Sequence, residues 1–261
     1  MIVTGSKSHV YRNISVAGLL TFFVLWESIV DFGLVPKMLL AAPSQVVRLF
    51  FVKLTDPNPD GALLVVHTMV SLEEVVTGYL LALVVGIPLG LLMGWFTVAE
   101  GLARPLFEMI RPIPPPAWIP LAIFWFGIGL EGKVFIIWVS GIVPCVINSY
   151  VGVRMTNPTF VQMARTYGAS EWQIFRRICI PSALPMVFGG LQIALAASWT
   201  ALVAAELIAA NEGLGFLITM GRRLMIPEMI VLGMLMVGVT GLIVGILVDA
   251  AERRLSKGLR R

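Results

Sequence analysis

The chain has 261 residues, a mean hydropathy of +0.91 and only 13% charged residues, about half the ~25% share of a soluble domain. Water cannot solvate such a surface, so the expected solvent is the bilayer; basic residues at membrane flanks explain the net charge of +4 without nucleic acid. Cys145 and Cys179 lie in or beside apolar segments and read as small hydrophobes, and with His9 and His67 the only histidines no disulfide or metal framework is expected.

A membrane helix needs roughly 20 apolar residues. In chain order, spans are predicted at about 15–34, 72–96, 102–127, 134–153, 183–205 and 229–250, an all-α membrane protein with six transmembrane helices in one domain, 1–261. The first follows a polar start with Lys7 and Arg12. A signal peptide is the competing reading, but no small-residue cleavage site follows, and Trp26, Glu27 and Asp31 do not suit its apolar region, so a retained anchor is expected. Gly86, Gly90 and Gly94 on the second span, Gly241 and Gly245 on the sixth, and Ala197, Ala201, Ala205 and Ala209 on the fifth repeat at four residues. Such ridges let helices approach closely in lipid, and they suit a homodimer. Prolines 112, 114, 115, 116 and 120 break the start of the third span. Freed carbonyls at membrane depth need partners, so this segment is expected to be buried or to line a cavity; an interfacial bend anchored by Trp118 and Trp125 is the alternative.

Lysine and arginine set the orientation. With the N-terminus inside, the inner segments hold Lys7, Arg12, Arg104, Arg154, Arg165, Arg176, Arg177, Arg253, Arg254, Lys257, Arg260 and Arg261, against Lys37, Arg48, Lys53, Lys133, Arg222 and Arg223 outside. Both termini are therefore expected in the cytoplasm, and so is the loop between spans four and five. In that loop Asn157 is a good N-cap with Pro158 at the first helical position. Thr159 to Tyr167 forms a short helix ended by Gly168 in the left-handed conformation. Ser170 and Gln173 make a capping box that starts a second short helix, which Pro181 stops. Phe160, Ala164 and Tyr167 share one face of the first, and Trp172, Phe175 and Cys179 one face of the second. Two readings fit this pattern: interfacial helices lying on lipid, or an amphipathic knob that docks into a partner's groove.

The loop resembles a motif in the membrane subunits of bacterial ABC importers: Glu-Ala-Ala, three residues, Gly, nine residues, Ile-x-Leu-Pro. Gly168 takes the glycine, Ala164 the last alanine, and Ile178, Cys179, Ile180 and Pro181 follow in register; Gln162 and Met163 replace the glutamate and first alanine, and Ile180 replaces leucine. The stretches "RPIPPPAWIPLAIFWFGIG" (111–129) and "WTALVAAELIAANEGLGFLI" (199–218), with "APSQVV" (42–47) and "GIPLGLLMGW" (86–95), are similar to the branch carrying taurine, alkanesulfonates, nitrate and bicarbonate, and look most like its taurine and sulfonate permeases. The likeness runs from about residue 40 onward. It implies a type I (MetI-like) importer permease in the bacterial plasma (inner) membrane, with a cytoplasmic coupling loop at about 155–182. The implied partners are a second permease copy, two ATP-binding subunits and a periplasmic or lipid-anchored solute-binding protein. The resemblance implies that Ala164, Tyr167, Gly168, Ala169, Ser170, Trp172, Phe175, Ile178 and Pro181 couple to the ATPase. No cofactor is expected on this chain, and ATP and Mg²⁺ belong to the partner.

The chain has one stretch with a nucleotide-binding look. "GIGLEGKV" (127–134) places Gly127, Gly132 and Lys133 as in a P-loop, but Val134 stands where Ser or Thr would hold magnesium, and a span precedes it instead of a strand. It is read as a chance match. Intramembrane polar groups are the default solute candidates: Arg111, Trp118, Asn148, Trp199, Thr200 and Glu206. Arg111 offers charge to an anion or snorkels to headgroups. Asn148 donates a hydrogen bond to solute or ties two helices. Glu206 would repel an anion and suits gating or anchoring. A membrane-embedded enzyme needs a convergent catalytic constellation, and none is visible. A passive channel needs no docking loop. Sulfonate, nitrate, bicarbonate and aromatic acids remain open as solutes.

Overall fold

The computed structural model describes residues 5–36 and 38–259, with side chains for 14–36 and 38–254. Lys37, Arg260 and Arg261 of the orientation count lie outside the described residues, as do the side chains of Lys7, Arg12 and Lys257. Among the described residues all regular structure is helical. Five helical stretches are long and apolar enough to cross a membrane: Ile14–Asp31, Leu64–Trp95, Leu130–Arg154, Glu171–Ile208 and Pro227–Arg254.

The first span is the end of α1 (Gly5–Asp31), which hardly touches the rest: 6% of its apolar window is buried. Its last turns explain the polar residues that did not suit a signal peptide. Trp26 Nε1 donates to Ala41 O (3.1 Å), and Glu27 accepts from the Ser44 N–H (3.0 Å) and hydroxyl (2.5 Å). These bonds hold the entry to α2 (Pro43–Lys53). α2 then buries Val46 with Leu232 and sets Leu49 and Phe50 against the cluster of Leu214, Leu217 and Met229.

The core is α3 (Leu64–Trp95) against α6 (Leu130–Arg154) and α9 (Ile180–Ile208). The predicted glycine ridge makes the first contact. A Cβ at Gly78 would meet Ile137, at Gly86 Cys145, at Gly90 Val146 O and at Gly94 Val153. Both sets of partners rise together along the sequence, so α3 and α6 run parallel. α9 runs antiparallel to them: Gly152 meets Ala183, Asn148 meets Gly190, and Gly141 meets Ser198. Of the alanine ridge on α9, Ala201, Ala205 and Ala209 are buried. On the last span only Gly241 of the predicted pair is packed, against Trp199; nothing lies within 4 Å of a Cβ at Gly245.

The third predicted span is corrected. It is not one helix but α4 (Thr97–Ile110), a turn, a 3₁₀ turn (Pro115–Trp118) and α5 (Ile119–Phe126). Pro112, Pro114 and Pro116 cannot donate to a continuous ladder. Even so, the segment returns across the bundle. Glu100 near the start of α4 bonds Tyr150 and Arg154 at the end of α6, while Gly127 and Ala122 at the end of α5 lie against Gly132 at its start. Parallel α3 and α6 require such a return.

The second short helix is also corrected. Pro181 does not stop it. α8 (Glu171–Ile174) passes through a π turn (Phe175–Cys179) straight into α9. Ile180 N–H bonds Phe175 O, five residues back, and this wider turn takes up the proline ring that an α-helix interior would reject.

After α9, α10 (Leu214–Arg223) packs on the start of α11 (Pro227–Leu259). α11 then runs antiparallel to α9, with Trp199 at Gly241 and Gln192 at Asp249 and Glu252. The end of α11 therefore lies at the end of the bundle that carries residues 155–182.

A Cβ at Gly90 would stand 2.4 Å from the Val146 carbonyl, which a backbone atom cannot easily yield. Gly90→Ala is expected to destabilise the bundle by about 1–3 kcal/mol, as overpacking does. Gly101→Ala, with nothing within 4 Å, is expected to leave it unchanged; thermal unfolding in detergent compares the two.

Candidate functional site

At one end of the bundle the chain leaves α6 and forms α7 (Pro158–Thr166). Asn157 Oδ1 accepts from Thr159 N–H (2.9 Å), the expected cap. Gly168 has φ +80°, with its N–H on Arg165 O (2.9 Å) and Ala169 N–H on Ala164 O (3.0 Å), the bonds that close a helix at a left-handed glycine. The capping box forms as well: Ser170 N–H donates to Gln173 Oε1 (2.8 Å), and Gln173 N–H to Ser170 Oγ (3.3 Å). Arg165 and Glu171 bridge the two segments by two hydrogen bonds of 3.0 and 3.2 Å.

Val161 is buried in α7, with Ala164 half-buried beside it. They join Ile174, Phe175 and Cys179 in a cluster with Val153, Ala183 and Val187, and Ala169 and Ile178 pack on its edge. Trp172 stacks on Phe96 (6.4 Å between centroids), which also meets Phe175 edge-on (5.3 Å). Phe160, Met163, Trp172 and above all Tyr167, 86% exposed, are left on the outside. The element is thus anchored on one side and offers an apolar, aromatic surface on the other. Arg176 and Arg177 are exposed beside it, as is Pro181.

The six residues singled out within the spans do not converge. Arg111 and Asn148 line one groove of about 410 Å³ with Pro115, Ser140 and Ala197. Arg111 makes no ion pair among the described residues. Asn148 Nδ2 donates to Pro144 O of its own helix (2.8 Å), and its side chain presses on Gly190, so it ties α6 to α9. Trp199 and Thr200 line a second groove, about 560 Å³, between α9 and α11. Trp118 is half-buried edge-on to Phe135 (6.1 Å). Of the proline segment, Pro115 lines the first groove, and Pro112, Pro114, Pro116 and Pro120 are exposed in the isolated chain.

Glu206 sits at the opposite end from the capped loop, in an assembly that the sequence reading did not foresee. Three successive backbone N–H groups at the start of α10 each meet a side chain: Gly213 donates to His67 Nδ1 (3.0 Å), Leu214 to Ser71 Oγ (2.9 Å), and Gly215 to Glu206 Oε2 (2.7 Å). A carboxylate suits the electropositive helix start. Because His67 Nδ1 accepts, Nε2 carries the hydrogen toward Asp60 Oδ2 (2.6 Å). Lys53 closes the chain on Asp60 Oδ1 (2.5 Å) and Ala62 O (2.8 Å). The side chains of Lys53, Asp60 and His67 are fully buried. Lys133, the lysine of the P-loop-like stretch, is committed to Glu74. The signal that could have found this cluster was present: charges within apolar segments, Glu74 on one span and Lys133 on another, need each other.

The family described as binding-protein-dependent transport system inner membrane component matches residues 86–261. The chain is 31% identical over 247 residues to the taurine transport system permease protein TauC of Escherichia coli (strain K12), covering 94% of this chain and 89% of that one. It is 31% identical to the bicarbonate transport system permease protein CmpB of Synechocystis sp., over 87% of this chain and 82% of that one. With the nitrate import permease protein NrtB of Leptolyngbya laminosa it shares 33%, over 71% and 66%. Among solved structures, the MetNI methionine ABC transporter in inward-facing conformations matches with a TM-score of 0.60 at 22% identity, covering 76% of this chain and 97% of that one, a likeness of fold.

Asp60 gives this assembly a pH dependence. Burial alone would push its carboxyl up; hydrogen bonds from His67 and Lys53 and the Lys53 charge outweigh it and hold the group below its ordinary value. A depressed folded value stabilises fully above the unfolded one, about 3.9, and the gain is lost as pH falls through the folded value. Unfolding midpoints are therefore expected to drop in acid below about pH 4. Asp60→Asn is expected to remove that drop and to cost about 3–5 kcal/mol at neutral pH, the scale of breaking a buried pair. Unfolding in detergent between pH 7 and pH 3 measures both.

Proposed function

The chain belongs to the binding-protein-dependent transport system inner membrane components, and on that premise we propose that it moves a small anion, taurine or another alkanesulfonate, across the membrane when the capped inner loop is driven by an ATPase. As a member of that family it is a multi-pass inner-membrane permease subunit of an ABC importer, non-catalytic itself. ATP is bound by a separate subunit, and a solute-binding protein is the other partner.

The observation that carries the coupling reading is the capped loop: rigid by its two caps, its left-handed glycine and the Arg165–Glu171 pair, packed on one side and aromatic on the other. A lipid-lying helix needs no such bracing, whereas a lever does. Ala164, Ala169, Phe175 and Ile178 are the side on which it is anchored. Tyr167 and Trp172, with Phe160 and Met163, are the side an ATPase cleft would grip. Gly168 and Ser170 set the angle between α7 and α8. Pro181 lies in the π turn's wake, where the lever joins α9.

In this reading two copies of the permease, one domain each over 1–261, face one another above two ATP-binding subunits. A periplasmic or lipid-anchored binding protein delivers solute to the far end. ATP-driven closure of the ATPases moves the levers and rocks the bundles about a central path. Both termini are cytoplasmic: the basic residues favour it, and the end of α11 lies beside the loop. The sulfonate reading is supported by the likeness to a taurine permease along 94% of the chain and by Arg111, which lines a groove and has no ion partner among the described residues. Nitrate and bicarbonate permeases are the second reading, at similar identity over less of the chain.

The test is uptake by proteoliposomes holding the chain with its ATP-binding and solute-binding partners. Labelled taurine is expected to accumulate with ATP, and labelled nitrate and bicarbonate are not; the reverse pattern overturns the sulfonate reading. Gly168→Pro forces φ near −65° where +80° is required and removes the N–H bonded to Arg165. It is expected to abolish ATP-driven uptake with the amount of chain in the membrane unchanged. Full uptake in that variant overturns the lever.

A further inference from the structure

The outer end of the bundle buries more acid than base. Glu74 on α3 and Glu206 on α9 are each 1% exposed, and Lys133 of α6 is 7% exposed. Lys133 Nζ bonds Glu74 Oε1. Both oxygens of Glu206 accept hydrogen bonds, Oε1 from the Ser71 hydroxyl (2.5 Å) and Oε2 from Gly215 N–H (2.7 Å). Glu74 Oε2 is fully buried and has no donor among the described residues, and Glu74 lies one turn from Ser71 on the same face of α3, beside the Glu206 carboxyl that Ser71 holds.

Two ionised carboxylates cannot bond one another, because each only accepts. If both were ionised, the Glu74, Glu206 and Lys133 cluster would hold a net negative charge out of water, with acceptor facing acceptor, and both features are costly. One proton removes both. Placed on Glu74 Oε2, it turns the bare acceptor into a donor toward Glu206, and Lys133 then balances the charge left on Glu206. The alternative site, a Glu206 oxygen, already receives a hydrogen from Ser71 or Gly215.

We propose that Glu74 and Glu206 share one proton, carried on Glu74 Oε2 and donated to Glu206, and that this pair latches α9 and the start of α10 to α3. The other groups around it agree in sign. Glu73 from α3, with Glu212 and Asn211 from the turn before α10, line a cleft of about 230 Å³ beside Glu74 and Lys133. The cleft gives the proton a way to water, and its two carboxylates disfavour a further negative charge. Among the described residues the remaining polar contacts are the Ser71 hydroxyl and the Gly213–Gly215 amides, with the closed Lys53–Asp60–His67 chain beyond them. Loss of the proton in alkali leaves two buried carboxylates that repel and part α9 from α3. Glu74 and Glu206 thus act as positioning residues. Their effect on transport rests on the permease reading above; the proton does not.

Infrared spectra of the wild-type chain in lipid test the proton directly. A carboxylic-acid C=O band that shifts in D2O and disappears in Glu74→Gln is expected; its absence from the wild type overturns the proposal whether or not any variant folds. In the complex with its partners, solute-stimulated ATP hydrolysis is expected to fall on the alkaline side in the wild type. Glu74→Gln, which keeps a neutral donor toward Glu206, is expected to retain activity and to lose that fall. Glu206→Gln is expected to lower activity about tenfold at every pH, the scale of one stranded buried polar group. Glu74→Gln as damaging as Glu206→Gln would mark Glu74 as an ordinary ionised partner of Lys133 and overturn the proposal. No stimulation in the wild type while the band is present counts against the permease reading and leaves the proton standing.

Discussion

Gly78, Gly86, Gly90 and Gly94 bring the backbone of α3 so close to α6 that no larger side chain fits at these four positions without something moving. In lipid, where apolar side chains gain nothing by leaving the solvent, this close contact is a principal source of helix association. Because the two helices run parallel, the chain between them must cross back. The segment from α4 to α5 does so although its prolines forbid a single helix. That return fixes which ends of the bundle lie together: the end of α3, the end of α6 and the capped loop at one, the starts of α6 and α10 at the other.

The two ends are built on different physics. At the end that carries the capped loop the connections are local caps and an exposed Arg165–Glu171 pair, each worth little in stability but together setting one angle between α7 and α8. The aromatic trio of Phe96, Trp172 and Phe175 ties that angle to the end of α3. A force applied to Tyr167 or Trp172 therefore meets a stiff element continuous with the 38-residue helix Glu171–Ile208, whose last turn carries Glu206 into the assembly at the opposite end. The opposite end is held by buried charges, which are costly when separated.

Between the ends, several polar side chains are bonded to the backbone of their own helix or a neighbouring one. Asn148 bonds Pro144 O, Ser140 bonds Ala197 O, and Thr200 bonds Ala196 O. Arg111 is the exception, a guanidinium in a groove with no ion partner among the described residues.

Much was legible in the sequence because the signals were local. Hydropathy over some 20 residues located five of the spans, and Asn157, Gly168, Ser170 and Gln173 declared their caps because capping involves neighbours within four residues. The Gly–Pro register of the loop carried the family. What the sequence did not decide depended on partners distant along the chain. Whether Pro181 ends a helix or is absorbed in a π turn depended on Phe175 and Cys179 packing against Val153 and Ala183. Which face of α7 turned inward depended on the same cluster. The union of Lys53, Asp60, His67, Ser71, Glu74, Lys133 and Glu206 required α3, α6, α9 and α10 to meet first. Charge pairing acts through space, and only the packed helices place residues 59 or 135 positions apart in sequence within reach of one hydrogen bond.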